Sequence, residues 1–387
     1  MKRIGINIGS GYVPGLDAVV AGATLAAHAA GCEIVGIRDG YDGLLAADRY
    51  PAGGLLVLDP NLVDVGSGRG SVLGTAARND PFRMRTVTAD GALEEVDRSD
   101  ELLGRLAQAG IEAVISIVGG SAVTGLHALS VAFKLYRKGL ATVCVPKSAE
   151  NDIAGVALAF GYNSVLAHVT ETLERIRTGA RDAGRLAVVE VPGQHAGWLA
   201  LQSGMAALAD AVLLPEIAYD IGRVAAALDA HERAGRPPAL VVVAEGAQPR
   251  VAVHGAGAPA DSLRGSLAPN ADPALGQGER IIDRVGAAAH AVAAALQRAT
   301  EREVMPLALG LLARSGPPTA IDRQLGLAYG AAAVRALHAG ENGVLMAFEH
   351  PDVRTVRLTE ALQRVRAVPA ASELVHIARA LGIALGD

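Results

Sequence analysis

Short, unbroken aliphatic runs alternate with longer amphipathic stretches along most of this chain. Ile4 to Ile8, Glu33 to Arg38, Ala113 to Val118, Ala141 to Val145, Arg185 to Val191, Ala211 to Leu214 and Ala239 to Ala244 read as strands. Continuous apolar character, without alternation, marks strands buried on both faces, as in a parallel sheet. Helical stretches fall near Gly15 to Ala30, Asp100 to Ala109, Ser164 to Thr178 and Thr319 to Leu337. Strand and helix in alternation predict doubly wound α/β sheets. The segment Gln248 to Gln277 is rich in Ala, Gly, Pro and Asp and reads as a long surface insertion or mobile loop.

Composition narrows this picture. A chain of 387 residues exceeds one simple core and accommodates two domains. Aromatics make up only 3%, which suits helices packed closely on parallel sheets through Ala, Gly and Val. The net charge of −5 argues against a general nucleic-acid binder. Cys32 and Cys144 both sit inside apolar runs, so they read as core thiols in a reducing, cytoplasmic protein. The first strand starts at once, with no signal-peptide pattern, and no apolar run reaches the ~18 residues of a membrane span.

Polar chemistry gathers where these strands end. Lys147, Ser148, Glu150, Asn151 and Asp152 follow the run ending at Val145. The carboxyl ends of parallel strands are where open α/β sheets bind ligands. A lysine, a hydroxyl and two carboxylates there suit phosphate and divalent-metal handling. A polar loop with a helix cap accounts for the same residues equally well. Three glycine-rich stretches add to the pattern: Gly9 to Asp17, Gly66 to Gly74 with Arg69, Arg78, Arg83 and Arg85 in or after it, and Gly119-Gly120-Ser121. Glycine lets backbone N–H groups approach an anion at a helix N-terminus. Each turn alone is weak, but their convergence on one sheet edge points to a nucleotide or phosphate site.

Taken in order, these pieces resemble the phosphofructokinase family, in both its ATP-dependent and its pyrophosphate-dependent branches. The chain shows SGYVPGLD, GYDGL, RGSVLGTAA, GGSAV, PKSAEND, FGYNS, EVPGQHAGWLAL, LLPE, VVAEGA and LGLLARSGPPTAIDR, in the family's order, from about residue 3 to about residue 345. The resemblance implies two similar three-layer α/β/α domains with mostly parallel sheets and the active site in the cleft between them. It places a phosphoryl-donor domain at 1–161 plus 313–365, an acceptor domain at 162–312 and a helical extension at 366–387. It also implies Mg²⁺, ATP or pyrophosphate as donor, a sugar, polyol or sugar-phosphate acceptor, and a homodimer or homotetramer.

Carried over position by position, the resemblance makes Glu150 the general base, one methylene longer than the family's aspartate. Asp152 is kept as the metal-side acid and Lys147 joins the catalytic group. Ser121 replaces the aspartate of the second glycine motif and would share the metal with Asp152. Gly11, Tyr12, Tyr41, Arg78, Gly120, Ser121 and Ala122 fall on the donor side. Tyr12 stands where the first motif has an aspartate. Ala122 is small, as glycine is in ATP users, and Tyr41 sits where an aromatic often covers the adenine. Ser148, Arg185, Gln194, Glu216, Leu311 and Arg314 fall on the acceptor side. There the family's cations are replaced by Gln194, Met305 and Leu311. Charge-assisted bonds are worth about 1.5–3 kcal/mol each, so a phosphorylated sugar should bind less well here.

These departures leave three expectations. The first is a kinase of this fold, using ATP in preference to pyrophosphate, on an acceptor other than fructose 6-phosphate. The second is a catalytically impaired descendant that binds a nucleotide or sugar phosphate and regulates a partner. The third is an ordinary 6-phosphofructokinase with unusual residues.

Overall fold

The computed structural model describes residues 1–50, 53–62, 71–75, 80–87, 91, 93–120, 122–250, 285–362 and 365–387. In chain order the strands are β1 (Arg3–Ile8), β2 (Glu33–Ile37), β3 (Leu55–Val57), β4 (Met84–Val87), β5 (Leu93–Val96), β6 (Ala113–Gly120) and β7 (Ala141–Ser148). They continue with β8 (Leu186–Val191), β9 (Ala211–Leu213), β10 (Leu240–Ala244), β11 (Val304–Ala308), β12 (Val344–Glu349) and β13 (Asp352–Arg357). The helices are α1 (Leu16–Ala29), α2 (Asp42–Leu45), α3 (Ser99–Gln108), α4 (Ala122–Arg137), α5 (Tyr162–Asp182) and α6 (Trp198–Ala206). After them come α7 (Ile221–Arg233), α8 (Ala287–Thr300), α9 (Ala320–His338), α10 (Leu358–Ala361) and α11 (Glu373–Ala380). Two compact units result, Met1–Val165 with Arg314–Arg366, and Leu166–Ala313 with Ala367–Asp387.

The first unit is built on a sheet of order β13-β12-β7-β6-β1-β2-β3. Its inner strands are parallel, and β3 and β13 join antiparallel at the two edges. The chain leaves β1 for β2 on one side and later returns to lay β6 on the other. Strand order therefore reverses between β1 and β6, and open α/β sheets bind their ligands outside the carboxyl ends at such a point. On one face, Leu102 and Leu106 of α3 and Val131 and Leu135 of α4 pack with Ile37 and Val114. Against the other face lie α1 and α9, brought together by glycine. A Cβ on Gly22 would meet the Leu327 carbonyl oxygen at 2.2 Å, and one on Gly330 would meet that of Val19 at 2.2 Å.

The second unit has an all-parallel sheet of order β11-β8-β10-β9. Val224 and Leu228 of α7 and Val292 and Leu296 of α8 pack on Val188, Val241 and Val243 from one side. From the other side α6 approaches closely enough that a Cβ on Gly204 would meet Val212 at 2.4 Å. Residues 367–387, read from sequence as part of a helical extension, belong to this unit. Ala384 pairs with Ala211 in a parallel bridge, and both ring nitrogens of His231 are engaged, by Asp210 at 3.2 Å and the Gly382 carbonyl at 2.9 Å.

Several strands run further than their apolar stretches suggest. The carboxyl end of β7 includes Pro146, Lys147 and Ser148, paired in register with Val118, Gly119 and Gly120 of β6. Hydropathy stops a strand at its first charged residue, but an extended backbone continues while its ladder partners do. Cys32 and Cys144 are both buried, free thiols. Of the segment read as a long insertion, residues 251–277 lie outside the described residues. No helix among those described is long and apolar enough to cross a membrane.

Candidate active site

The carboxyl ends of β1, β6 and β7 carry most of the predicted chemistry of the first unit. Lys147 is fully buried, and its Nζ donates to the carbonyl oxygens of Gly9 at 2.7 Å, Ser10 at 2.8 Å and Gly11. All three ammonium hydrogens thus go to the first glycine-rich turn. The sequence match put Lys147 in the catalytic group; a buried ammonium needs acceptors, and the turn's carbonyls supply them. Burial, and then the Arg314 guanidinium, pull its pKa down to about 7. Gly11 holds φ +82°, a conformation that suits glycine. The next residue, Tyr12, is half-buried, and burial with the charge of Asp17 raises its phenol pKa.

The two acids sit in the loop directly after β7. Glu150 is 1% exposed and its Oε1 lies 3.6 Å from Arg314 Nη2. Ser148 Oγ donates to Asp152 Oδ1 at 2.6 Å and accepts the Glu150 N–H at 3.0 Å. One buried hydroxyl therefore orients both carboxyl-bearing residues. That inward commitment differs from the expected contact of Ser148 with an acceptor. Asn151, between the acids, has φ +53°, which asparagine tolerates better than most residues. Its side chain donates to the Ala157 carbonyl at 3.1 Å and accepts the Ala159 N–H at 3.0 Å.

Tyr41 departs from its expected place. It is 3% exposed, belongs to the core packed on β2 and β6, and its hydroxyl lies 3.3 Å from Ser116 Oγ. Burial pushes its pKa up to about 12. An aromatic ring follows the apolar face it can reach, so Tyr41 packs inward and does not cover a nucleotide base. Gly120 closes β6 and Ala122 opens α4, so both flank the strand-to-helix junction at the reversal of strand order. Ser121 and Arg78 lie outside the described residues, as does Arg69.

In the second unit the predicted acceptor residues separate. Gln194 follows the carboxyl end of β8, half-buried, with its carbonyl oxygen against Gly246, where a Cβ would stand 1.9 Å away. Glu216 accepts the N–H of Gly197 at 3.0 Å and that of Val368 at 2.7 Å. It ties the start of α6 to the final segment of the chain. Arg185 precedes the first residue of β8 and pairs with Glu303 at 2.7 Å. A six-residue strand spans about 20 Å, so Arg185 and Gln194 occupy opposite ends of it. The sequence match put Arg185 on the acceptor side; within its own chain it stands at the amino end of β8, away from Gln194. Leu311, where the family pattern has histidine, is 83% exposed in the turn Gly310–Arg314.

Glu150 and Asp152 offer hard oxygen donors within one loop. Mg²⁺ is usually held by one or two carboxylates, with substrate phosphates and water completing its shell. The donor set fits that demand, and among the described residues no cluster of three or more acidic, His or Cys side chains forms a full metal cage. Sequence reasoning passed over Arg366, whose Nη1 reaches the Asn151 carbonyl at 3.0 Å from 215 positions away. No local pattern announces such a contact.

Comparison with known proteins agrees with this geometry. A sequence profile described as Phosphofructokinase matches residues 3–337. The chain is 34% identical over 400 residues to the ATP-dependent 6-phosphofructokinase of Chloroflexus aurantiacus, covering 100% of this chain and 98% of that protein. It is 33% identical over 371 residues to ATP-dependent 6-phosphofructokinase 3 of Streptomyces coelicolor, covering 95% and 96%. Among solved structures, a pyrophosphate-dependent phosphofructokinase from Nitrosospira multiformis superposes with a TM-score of 0.73 at 17% identity, over 100% of this chain and 93% of that one. The phosphofructokinase of Saccharomyces cerevisiae gives 0.71 at 23% identity, over 98% of this chain and 47% of that longer one, so the chain spans about half its length. With the profile running through both units and the relatives matched end to end, the chain belongs to the phosphofructokinase family of phosphotransferases.

Proposed function

We propose that this chain is a cytoplasmic, homo-oligomeric kinase that transfers a phosphoryl group from ATP to a hydroxyl of a sugar or polyol carrying less negative charge than fructose 6-phosphate. The observation that carries this reading is the charge on the acceptor side. Gln194, Met305 and Leu311 stand where the family pattern has cations. Glu150 takes the proton from the attacking hydroxyl, with Arg314 supplying positive charge beside it. Asp152, with Ser121 by its place in the sequence, would hold Mg²⁺, which would neutralise charge on the donor phosphates. Lys147 acts at one remove by fixing the turn around Gly11 and Tyr12. Gly120 and Ala122 present the start of α4 to the polyphosphate. Glu216 and Gln194 position the acceptor. The names of the relatives favour a second reading, ATP-dependent 6-phosphofructokinase activity.

The test is a transfer assay with Mg²⁺ and ATP or pyrophosphate against fructose 6-phosphate and a panel of unphosphorylated sugars and polyols, with Glu150→Gln as the blank. Turnover of an unphosphorylated acceptor, lost by about 100-fold or more in the blank, supports the first reading. Turnover confined to fructose 6-phosphate establishes the second. Tight ATP binding without any turnover defeats both and points to a regulatory descendant.

A further inference from the structure

The two acids are joined by a peptide that a distant residue holds in place. Asn151 at φ +53° turns the chain between Glu150 and Asp152, so the orientation of the 151–152 peptide sets where both side chains point. Two contacts fix this peptide and its neighbour from outside the loop. Arg366 Nη1 donates to the Asn151 carbonyl at 3.0 Å, and the Arg366 N–H donates to the Asp152 carbonyl at 2.8 Å. An antiparallel bridge between Ile153 and Val365 continues the attachment. Arg366 therefore holds the carbonyls of the two peptide units on either side of the Asp152 Cα, one through its side chain and one through its backbone.

We propose that Arg366 is a positioning residue for phosphoryl transfer. Its guanidinium holds the Asn151 carbonyl so that Asp152 stays on Ser148 and Glu150 stays beside Arg314. The inference rests on the reading of Glu150 as base and Asp152 as metal-side acid. Arg366 lies beyond residue 337, where the family profile ends. It is half-buried, and burial lowers the guanidinium's pKa while the neighbouring Tyr162 phenol opposes that. A guanidinium suits the place because its planar fork keeps its direction when one N–H is engaged, whereas an ammonium on a flexible stem does not.

Two variants, Arg366→Met and Arg366→Lys, test this, with Glu150→Gln and Asp152→Asn beside them. One readout is Mn²⁺ affinity by electron paramagnetic resonance in the presence of a non-hydrolysable ATP analogue. The other is ADP formation from MgATP with the acceptor that turns over fastest in the transfer assay, fructose 6-phosphate being one of those offered. Misplacement by about an ångström can cost about 100-fold in rate, and that is the loss expected of Arg366→Met, with KM for ATP little changed. Millimolar guanidinium should restore part of the rate and of the Mn²⁺ affinity, and Arg366→Lys should fall between the two proteins. Native-like behaviour of Arg366→Met in both readouts overturns the inference. So does a loss that guanidinium leaves untouched, which would assign the residue to packing alone. The underlying reading fails separately, if Glu150→Gln turns over normally or Asp152→Asn keeps its Mn²⁺ affinity.

Discussion

Lys147 reaches the Gly9 carbonyl at 2.7 Å although their strands are not neighbours. In the sheet order, β6 lies between β7 and β1. The lysine side chain must cross β6 at Gly119, where an added Cβ would stand 3.2 Å from Lys147 Cγ and 1.7 Å from its carbonyl oxygen. One glycine thus clears the path by which a cation from one strand organises the glycine-rich turn that follows another. A site that looks like three separate motifs in sequence is mechanically one.

The proton on Lys147 should leave a signature in stability. Its folded pKa of about 7 lies below the ordinary 10.5, so between those values the unfolded chain binds the extra proton. Stability should therefore climb with pH across that window, by up to about 1.4 kcal/mol per pH unit, and stay flat below it. Over the same range the neutral amine has one hydrogen fewer for the three carbonyls, so ATP affinity should fall as pH rises. Urea unfolding at several pH values, in the native protein and Lys147→Met, checks this; a native-like slope in the variant would sink it.

Gly119→Ala should be among the most damaging single substitutions in the first unit. Its φ of +133° disfavours any side chain, and the Lys147 carbonyl occupies the space. A cost of about 3 kcal/mol or more is expected. Gly104, exposed within α3 and with nothing within 4 Å of an added Cβ, is the control. Gly104→Ala should gain up to about 1 kcal/mol, since alanine is the better helix former. Denaturation midpoints that fail to separate these two would refute the argument.

The fold could be read from the sequence because its strands are doubly buried and each writes an apolar run. What escaped were edge and late elements. The short β3 and the edge strand β13 are only partly buried, and β13 breaks up its two valines with charged residues instead of carrying a continuous hydrophobic stretch. In the site, residue types were legible and directions were not. Lys147, Ser148 and Glu216 are polar groups at strand ends, as a ligand site requires, yet each spends its hydrogen bonds on the protein. Tyr41 looked like a lid and is core. Sequence spacing gives position along a strand, but the partner of a buried polar atom depends on elements far away in the chain.

Glu216 illustrates that dependence and yields a stability test in the second unit. Its carboxylate accepts two backbone N–H groups, from Gly197 and Val368. Glu216→Ala leaves both without that acceptor, at a cost of about 1–3 kcal/mol for each group that water cannot reach. Glu216→Gln keeps an acceptor oxygen and should lose less. Hydrogen exchange should quicken at Gly197 and Val368 in the alanine variant before it does in the β8 core. Unchanged protection at both amides would show that the contact carries no weight.

Glu150→Asp asks whether this site has been rebuilt around the longer acid. In the family pattern the base is aspartate, so a simple expectation is that the variant improves catalysis. The geometry argues the reverse. Arg314 already lies 3.6 Å from Glu150 Oε1, and removing a methylene draws the carboxylate back by about an ångström. The Glu150 N–H is anchored on Ser148, so the backbone cannot follow. The rate should fall by about 10- to 100-fold with KM for ATP little affected, because the loss is one of proton-transfer geometry. Steady-state kinetics with the best acceptor from the transfer screen decide it. A variant as fast as the native protein would mean that the loop adjusts freely, and that Ser148 does not hold it as the hydrogen bonds imply.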